Sequence, residues 1–261
     1  MSFLTVFQRG IAMFKPLQIA PSILSADFMH LADDIALMER AGAALVHVDV
    51  MDGHFVPNLT MGVPIIRQLR KATDLPLDVH LMIENPLRQL DWFLQAGCHV
   101  VTVHAETLYG AELDQAVDRI VEAGCLPALA LRPRTPVEVL APVIGRLHMV
   151  LVMSVEPGFS GQRYHEGSEL KVAAVARMAR AVGNHDLLIE VDGGIGPATV
   201  GLVAAAGADV MVCGSAFFDA ADPARALAEV RERGDAARLA ALQGQEGPQG
   251  FSGPKGGAAC R

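Results

Sequence analysis

Between about residue 17 and residue 232, short apolar runs alternate with amphipathic helical segments, and the unit repeats eight times. The strand-like runs are LQIAPSIL (17–24), ALVHVDVM (44–51), LDVHLM (77–82), HVVTVHA (99–105), LPALALR (126–132), HMVLVMSV (148–155), LLIEVDG (187–193) and ADVMVCGSA (208–216). Between them, segments such as DFMHLADDIALMERAG and GAELDQAVDRIVEAG carry apolar residues at helical spacing, and each ends at a glycine suited to a helix C-cap. AGA, AGC and AGA precede the second, fourth and eighth runs and mark helix exits. Strands this rich in Val, Ile and Leu are buried on both faces, as in a parallel sheet covered by helices. Eight such units in about 215 residues predict an α/β fold, a closed (β/α)8 TIM barrel in one domain, with a doubly wound open sheet as the alternative.

The expected boundaries follow from where the pattern starts and stops. Residues 1–16 read as an N-terminal extension, 17–232 as the barrel, and 233–261 as a disordered Gly-rich tail. The extension begins MSFLTVFQRGIAMFK, is interrupted by Gln8 and Arg9, and precedes no small-residue cleavage site, so it does not read as a signal peptide. The tail spaces glycines by three from 244 to 256, but a triple helix needs many more triplets and three chains.

A formal net charge of −8 leaves no basic surplus for nucleic acid, although backbone amides can still hold a small anion. No apolar run approaches the roughly 20 residues that span a bilayer. Cys98, Cys125, Cys213 and Cys260 are scattered, without a CxxC pair, and read as free thiols in a reducing cytoplasm.

In barrels of this kind chemistry sits at the C-terminal strand ends. Those positions offer Ser22 and Ser25 on the first strand, His47, Asp49 and Met51 on the second, and His80 and Met82 on the third. The sixth runs into MSVEPGFSGQ, the seventh into VDGGIG and the eighth into CGSA. Alternation puts His47, Asp49 and Met51 on one face, and His80 and Met82 on one face. With those faces turned to the barrel mouth, His47, Asp49, His80 and Asp192 converge as ligands for one divalent ion, Zn²⁺, Fe²⁺, Mn²⁺ or Co²⁺. Of the other histidines, only His104 on the fourth strand is held in reserve.

The glycine loops PGFSGQ, DGGIG and GSA follow three consecutive strands, where such barrels often hold a phosphate, and glycine lets backbone N–H groups approach it. The chain has four lysines, Lys15, Lys71, Lys171 and Lys255, and none lies at a strand end, so Schiff-base chemistry lacks its nucleophile. A metal with paired carboxylates instead supports proton transfer beside a carbonyl through an enediolate. Asp49 and Asp192, as acid and base on opposite faces of the carbon, would invert it.

APSILSADF (20–28), HVDVMDGHFVPNLT (47–60), DVHLM (78–82), MSVEPGFSGQ (153–162), EVDGG (190–194) and GSAFF (214–218) together resemble the ribulose-phosphate 3-epimerase family over residues 17–232. The resemblance implies a ribulose-phosphate-binding (β/α)8 barrel, an isomerase of sugar-phosphate metabolism that interconverts D-ribulose 5-phosphate and D-xylulose 5-phosphate with one divalent metal ion. It assigns the metal to His47, Asp49, His80 and Asp192, with Asp49 as proton acceptor and Asp192 as donor. It gives Ser22, His80 and Asp192 substrate contacts. Phosphate falls to Gly158, Phe159, Ser160, Gly161, Gly193, Gly194, Gly214 and Ser215, while Met51, Met82 and Met153 crowd the enediolate. The partner implied is a small sugar phosphate, with no nucleic acid and no membrane, and homo-oligomerisation is left open.

Two positions depart from the family pattern. Ser160 stands where PGFGGQ has glycine, and RPRTP with Arg132 and Arg134 stands where NPATP is usual. Arg132 is either a solvated loop charge or a sign of altered sugar preference, since related members act on allulose 6-phosphate. Asp78 and Glu190 precede ligands by two residues, face the same way, and are expected to orient them. Asp52 and His54 read as a structural turn leading through Pro57. The rivals are a decarboxylase or lyase, which would carry an Asp–Lys–Asp array where this chain has DVHLM, and a sugar-phosphate-binding barrel without catalysis.

Overall fold

The computed structural model describes residues 15–244. Its strands are β1 (Gln18–Pro21), β2 (Val46–Met51), β3 (Leu77–Met82), β4 (Val100–His104), β5 (Leu126–Leu131), β6 (Met149–Met153), β7 (Leu188–Asp192) and β8 (Val210–Cys213). All pair in parallel in the order β1-β8-β7-β6-β5-β4-β3-β2. A parallel bridge between Ser22 and His47 brings the two ends of that sheet together and closes the barrel. The open-sheet alternative is thereby excluded.

The helices are α1 (Leu31–Ala41), α2 (Val63–Ala72), α3 (Pro86–Leu94), α4 (Glu112–Glu122), α5 (Ser168–Ala181), α6 (Val200–Ala206), α7 (Ser215–Phe218) and α8 (Pro223–Leu242). Alternation sorts each strand between two cores. Val46, Val48 and Val50 point outward into the layer shared with the helices, together with Val79, Leu81, Val101 and Val103. The inward faces build the barrel's own filling, with Ala20, Leu45, Val100, Ala128, Met149 and Val210 at one level. Ala130, Leu151, Met153 and Val155 form another. The AGA exits work as their composition suggests: Gly42 and Gly207 cap α1 and α6 at φ 77° and 111°, a left-handed conformation that a Cβ disfavours.

Two connections differ from the repeating pattern. Between β5 and β6 the chain forms only 3₁₀ turns, Val137–Leu140 and Ile144–Arg146, where a helix was expected. Pro133, Pro136 and Pro142 remove three amide donors from that stretch, which leaves room for short turns but not for a longer α-helix. At the other end, α8 continues past residue 232, the expected end of the barrel, to Leu242. The segment GDAARLAAL is rich in strong helix formers, and its Gly234 packs against Leu17 and Val200, so the fold needs it. The remainder of the expected tail and most of the N-terminal extension lie outside the described residues.

Candidate active site and metal centre

The register of the β2–β3 pair places the polar residues of two strands side by side. His47 is opposite Asp78, Asp49 opposite His80, and Met51 opposite Met82. On the far side, Met153 of β6 is opposite Asp192 of β7, and Leu151 opposite Glu190. Inward-facing positions of β2, β3 and β7 therefore carry two imidazoles and four carboxylates into one buried region. His47, Asp78, His80 and Glu190 are fully buried and Asp49 nearly so, while Asp192 is partly exposed at the mouth.

Such burial is costly unless charges are matched, and the hydrogen bonds show how far the protein alone matches them. His47 Nδ1 meets Asp78 Oδ2 at 2.6 Å and lies 3.5 Å from Glu190 Oε1. His80 Nε2 meets His104 Nε2 at 2.9 Å. The opposite nitrogens, His47 Nε2 and His80 Nδ1, point at Asp49 Oδ1 from 3.4 and 3.3 Å and have no hydrogen-bond partner. The other oxygen of Asp49 accepts the Ser22 hydroxyl at 2.5 Å, which aims the carboxylate. One donor atom from each of His47, Asp49, His80 and Asp192 can be chosen so that all lie within 4.8 Å of one another. Two buried nitrogens without partners, turned toward carboxylates, fit a divalent cation. His47, Asp78 and Glu190 form a second group of the same compactness directly behind it.

The electrostatics point the same way. Burial opposes the charge on Asp49, but His47 and His80 outweigh it and hold that carboxyl well below the usual range. Burial, with Asp49 close by, pushes Asp192 up to about 6. Glu190 is raised well above an ordinary carboxyl, by burial first and then by Asp78. Burial also opposes a charge on His47, yet Asp49, Asp78 and Glu190 prevail and raise its basicity. The cluster draws positive charge to its centre.

Above it opens a pocket at the C-terminal end of the barrel. Its lining includes Ser22, Asp49 and Asp192 with Met51, Met82 and Met153, and, from the loops, Gly158, Phe159, Ser160, Gly161, Gly193, Gly194, Gly214 and Ser215. Every residue expected to touch substrate is on that surface except His80, which is buried and lies beside Asp49. The glycines are sterically required at two points. A Cβ on Gly194 would sit 2.2 Å from the Tyr164 nitrogen, and one on Gly193 would sit 2.6 Å from Val155 Cγ2, with both φ angles positive. Ser154 ties the two loops together by donating from its hydroxyl to the carbonyls of Asp192 and Gly193, at 2.9 and 2.5 Å. Nothing in the local sequence singled this serine out.

The two departures from the family pattern take defined positions. The Ser160 hydroxyl lies 2.6 Å from that of Ser25, which fastens the loop after β6 to the loop after β1. Arg132 does not line the pocket, and it is half-buried rather than the solvated loop charge that was one expectation for it. Its guanidinium lies 3.9 Å over the Phe55 ring and donates to the Phe55 carbonyl at 2.8 Å. Lys171 caps the same loop from α5, donating to the carbonyls of Arg132, Pro133 and Thr135. Asp52 takes its expected structural role, accepting from the amides of His54, Phe55 and Glu84. Among the described residues no helix is long and apolar enough to cross a membrane. Cys98, Cys125 and Cys213 are buried free thiols, and Cys260 lies outside the described residues.

A sequence model of the ribulose-phosphate 3 epimerase family matches residues 18–218. The ribulose-phosphate 3-epimerase of Bacillus subtilis is 46% identical over 215 residues, covering 82% of this chain and 98% of that protein. The chloroplastic ribulose-5-phosphate-3-epimerase of Arabidopsis thaliana is 42% identical over 213 residues, covering 82% of this chain and 75% of that protein. Among solved structures, a 3-hexulose-6-phosphate synthase superposes with a TM-score of 0.57 at 22% identity, covering 84% of this chain and 99% of that one, a likeness of fold.

Proposed function

The chain belongs to the ribulose-phosphate 3-epimerase family and is an isomerase, and from that premise we propose that it interconverts D-ribulose 5-phosphate and D-xylulose 5-phosphate at C3. The observation that carries the reading is the pair of partnerless nitrogens, His47 Nε2 and His80 Nδ1, facing Asp49 beneath a glycine-lined pocket. His47, Asp49, His80 and Asp192 hold one divalent ion, Zn²⁺, Fe²⁺, Mn²⁺ or Co²⁺. When bound, the ion supplies positive charge that polarises the C2 carbonyl and makes the C3 proton more acidic.

The protein's own residues do the rest. Asp49, held ionised, takes the proton from C3, and the C3–H electron pair moves into the C2–C3 double bond of a 2,3-enediolate. Asp192, whose pKa burial raises to about 6, takes up a proton more readily than an ordinary aspartate and returns it to C3 from the other side. Asp49 stands on β2 and Asp192 on β7, separated by β1 and β8, which suits opposite faces of one carbon. One proton leaves and one arrives, so no co-reactant is needed. Met51, Met82 and Met153 cover the enediolate and keep water from it, while Ser22 aims Asp49. Backbone groups of the loops at 158–161, 193–194 and 214–215 hold the phosphate. Reduced, buried thiols suit a cytoplasmic setting.

A rate comparison tests the substrate. Turnover of ribulose 5-phosphate is expected to exceed that of allulose 6-phosphate by at least ~10-fold in kcat/KM, and the reverse order would reassign the sugar while leaving the reaction. Asp78 and Glu190 face His47 from behind. Asp78→Asn and Glu190→Gln are each expected to weaken metal binding by ~10–100-fold, measured by chelator competition, and unchanged affinity and turnover in both would remove them from this role.

A further inference from the structure

On the fourth strand, beside the proposed metal ligands, a second line of polar contacts leads away from the pocket. His104 is fully buried at the end of β4, and Glu106 follows in the 3₁₀ turn Ala105–Thr107. Glu106 Oε1 accepts the backbone N–H of Arg132 at 2.7 Å and the hydroxyl of Thr135. Its other oxygen lies 3.0 Å from His104 Nδ1, and His104 Nε2 lies 2.9 Å from His80 Nε2.

We propose that Glu106 and His104 are positioning residues that place the proton of His80 on Nε2, so that Nδ1 is left bare toward the cation. The inference rests on the reading of His80 as a metal ligand. The direction of the chain follows from what each group can do. An amide N–H can only donate, so Glu106 Oε1 is an acceptor, and the carboxylate accepts again at Oε2. His104 therefore carries its proton on Nδ1, and its Nε2 has a lone pair to offer. Two imidazole nitrogens 2.9 Å apart share one proton, which then belongs to His80 Nε2. His80 Nδ1 is left as a lone pair, and it is the buried nitrogen with no partner beside Asp49.

The surroundings hold this arrangement. Phe55 packs on the His104 ring with centroids 4.6 Å apart, and the Arg132 guanidinium lies 3.9 Å from the Phe55 ring centroid. The Arg132 backbone holds Glu106 while its side chain holds Phe55, which gives the RPRTP departure a role outside the sugar pocket. His47 is set in the same manner by Asp78, so each histidine ligand has an acceptor behind it.

Glu106→Gln tests the direction of the chain with almost no change of shape. The amide oxygen stays toward Arg132 and Thr135, its NH₂ faces His104, and the proton order reverses onto His80 Nδ1. Metal-stripped protein titrated with Co²⁺ is expected to show Kd raised ~10–100-fold and an altered visible Co²⁺ spectrum. The melting temperature of the metal-free variant stays within ~2 °C of wild type, since the exchange removes no packing. His104→Gln, whose amide oxygen can accept from His80, retains affinity within ~3-fold of wild type because the acceptor is restored. Wild-type affinity and spectrum in Glu106→Gln would overturn the relay alone. A wild-type protein that fails to bind Co²⁺ would overturn the metal centre and the relay with it.

Discussion

Asp49→Asn is expected to lower kcat at least ~10³-fold on ribulose 5-phosphate while circular dichroism shows the barrel intact. The size follows from two roles lost together. Asp49 Oδ1 is where the free nitrogens of His47 and His80 point, so the substitution removes the anionic centre of the ligand set. It also removes the proposed proton acceptor, and general base catalysis alone contributes ~10²–10⁴-fold. Asparagine can still accept the Ser22 hydroxyl through its amide oxygen, so the local fold has little reason to change. A rate within a few-fold of wild type would take Asp49 out of the chemistry.

Asp192→Asn is the second large effect, and its signature differs. The variant keeps an oxygen for the ion and loses only the proton for the opposite face, so conversion to xylulose 5-phosphate falls ~10²–10⁴-fold. Asp49 still removes the C3 proton of ribulose 5-phosphate, exchanges it with solvent and returns it to the same face. In deuterated water, mass spectrometry is therefore expected to find deuterium at C3 of unconverted ribulose 5-phosphate, appearing faster than product. If exchange and conversion fall together in that variant, the two aspartates do not act on separate faces.

Much of this centre could be read from residues alone, because the β2 and β3 motifs obey a period of two. His47, Asp49 and Met51 share a face wherever the strand lies, and the parallel register then brings Asp49 beside His80. The barrel followed from eightfold repetition, while its last helix runs on to Leu242, past the expected boundary at residue 232. The stretch between β5 and β6 was misjudged for a physical reason: its apolar residues have helical spacing, but three prolines deny it the hydrogen bonds. Helix α8 ran on because its chain beyond 232, despite Gly234, is made of strong helix formers.

Contacts between residues distant in sequence were the part out of reach. Ser25 and Ser160 are 135 positions apart, and nothing local announces that their hydroxyls meet. Arg132 reads as a mouth charge from its position at a strand exit, and only the placement of Phe55 turns it aside. His104 stood out only as a histidine on the fourth strand. Glu106 belongs to a 3₁₀ turn beyond the strand, so alternation says nothing of its direction. A histidine and an acid two residues apart across the end of β4 is the pattern that would have flagged the pair.

The central claim is that a divalent cation and two aspartates invert C3. It is tested most directly by following ribulose 5-phosphate in deuterated water with enzyme as prepared, after metal removal with a chelator, and after readdition of Mn²⁺ or Co²⁺. The account predicts deuterium at C3 and xylulose 5-phosphate formed by the enzyme as prepared, both lost by at least ~10²-fold on metal removal and both restored by the added ion. Exchange and conversion that persist unchanged in fully metal-stripped protein would contradict it.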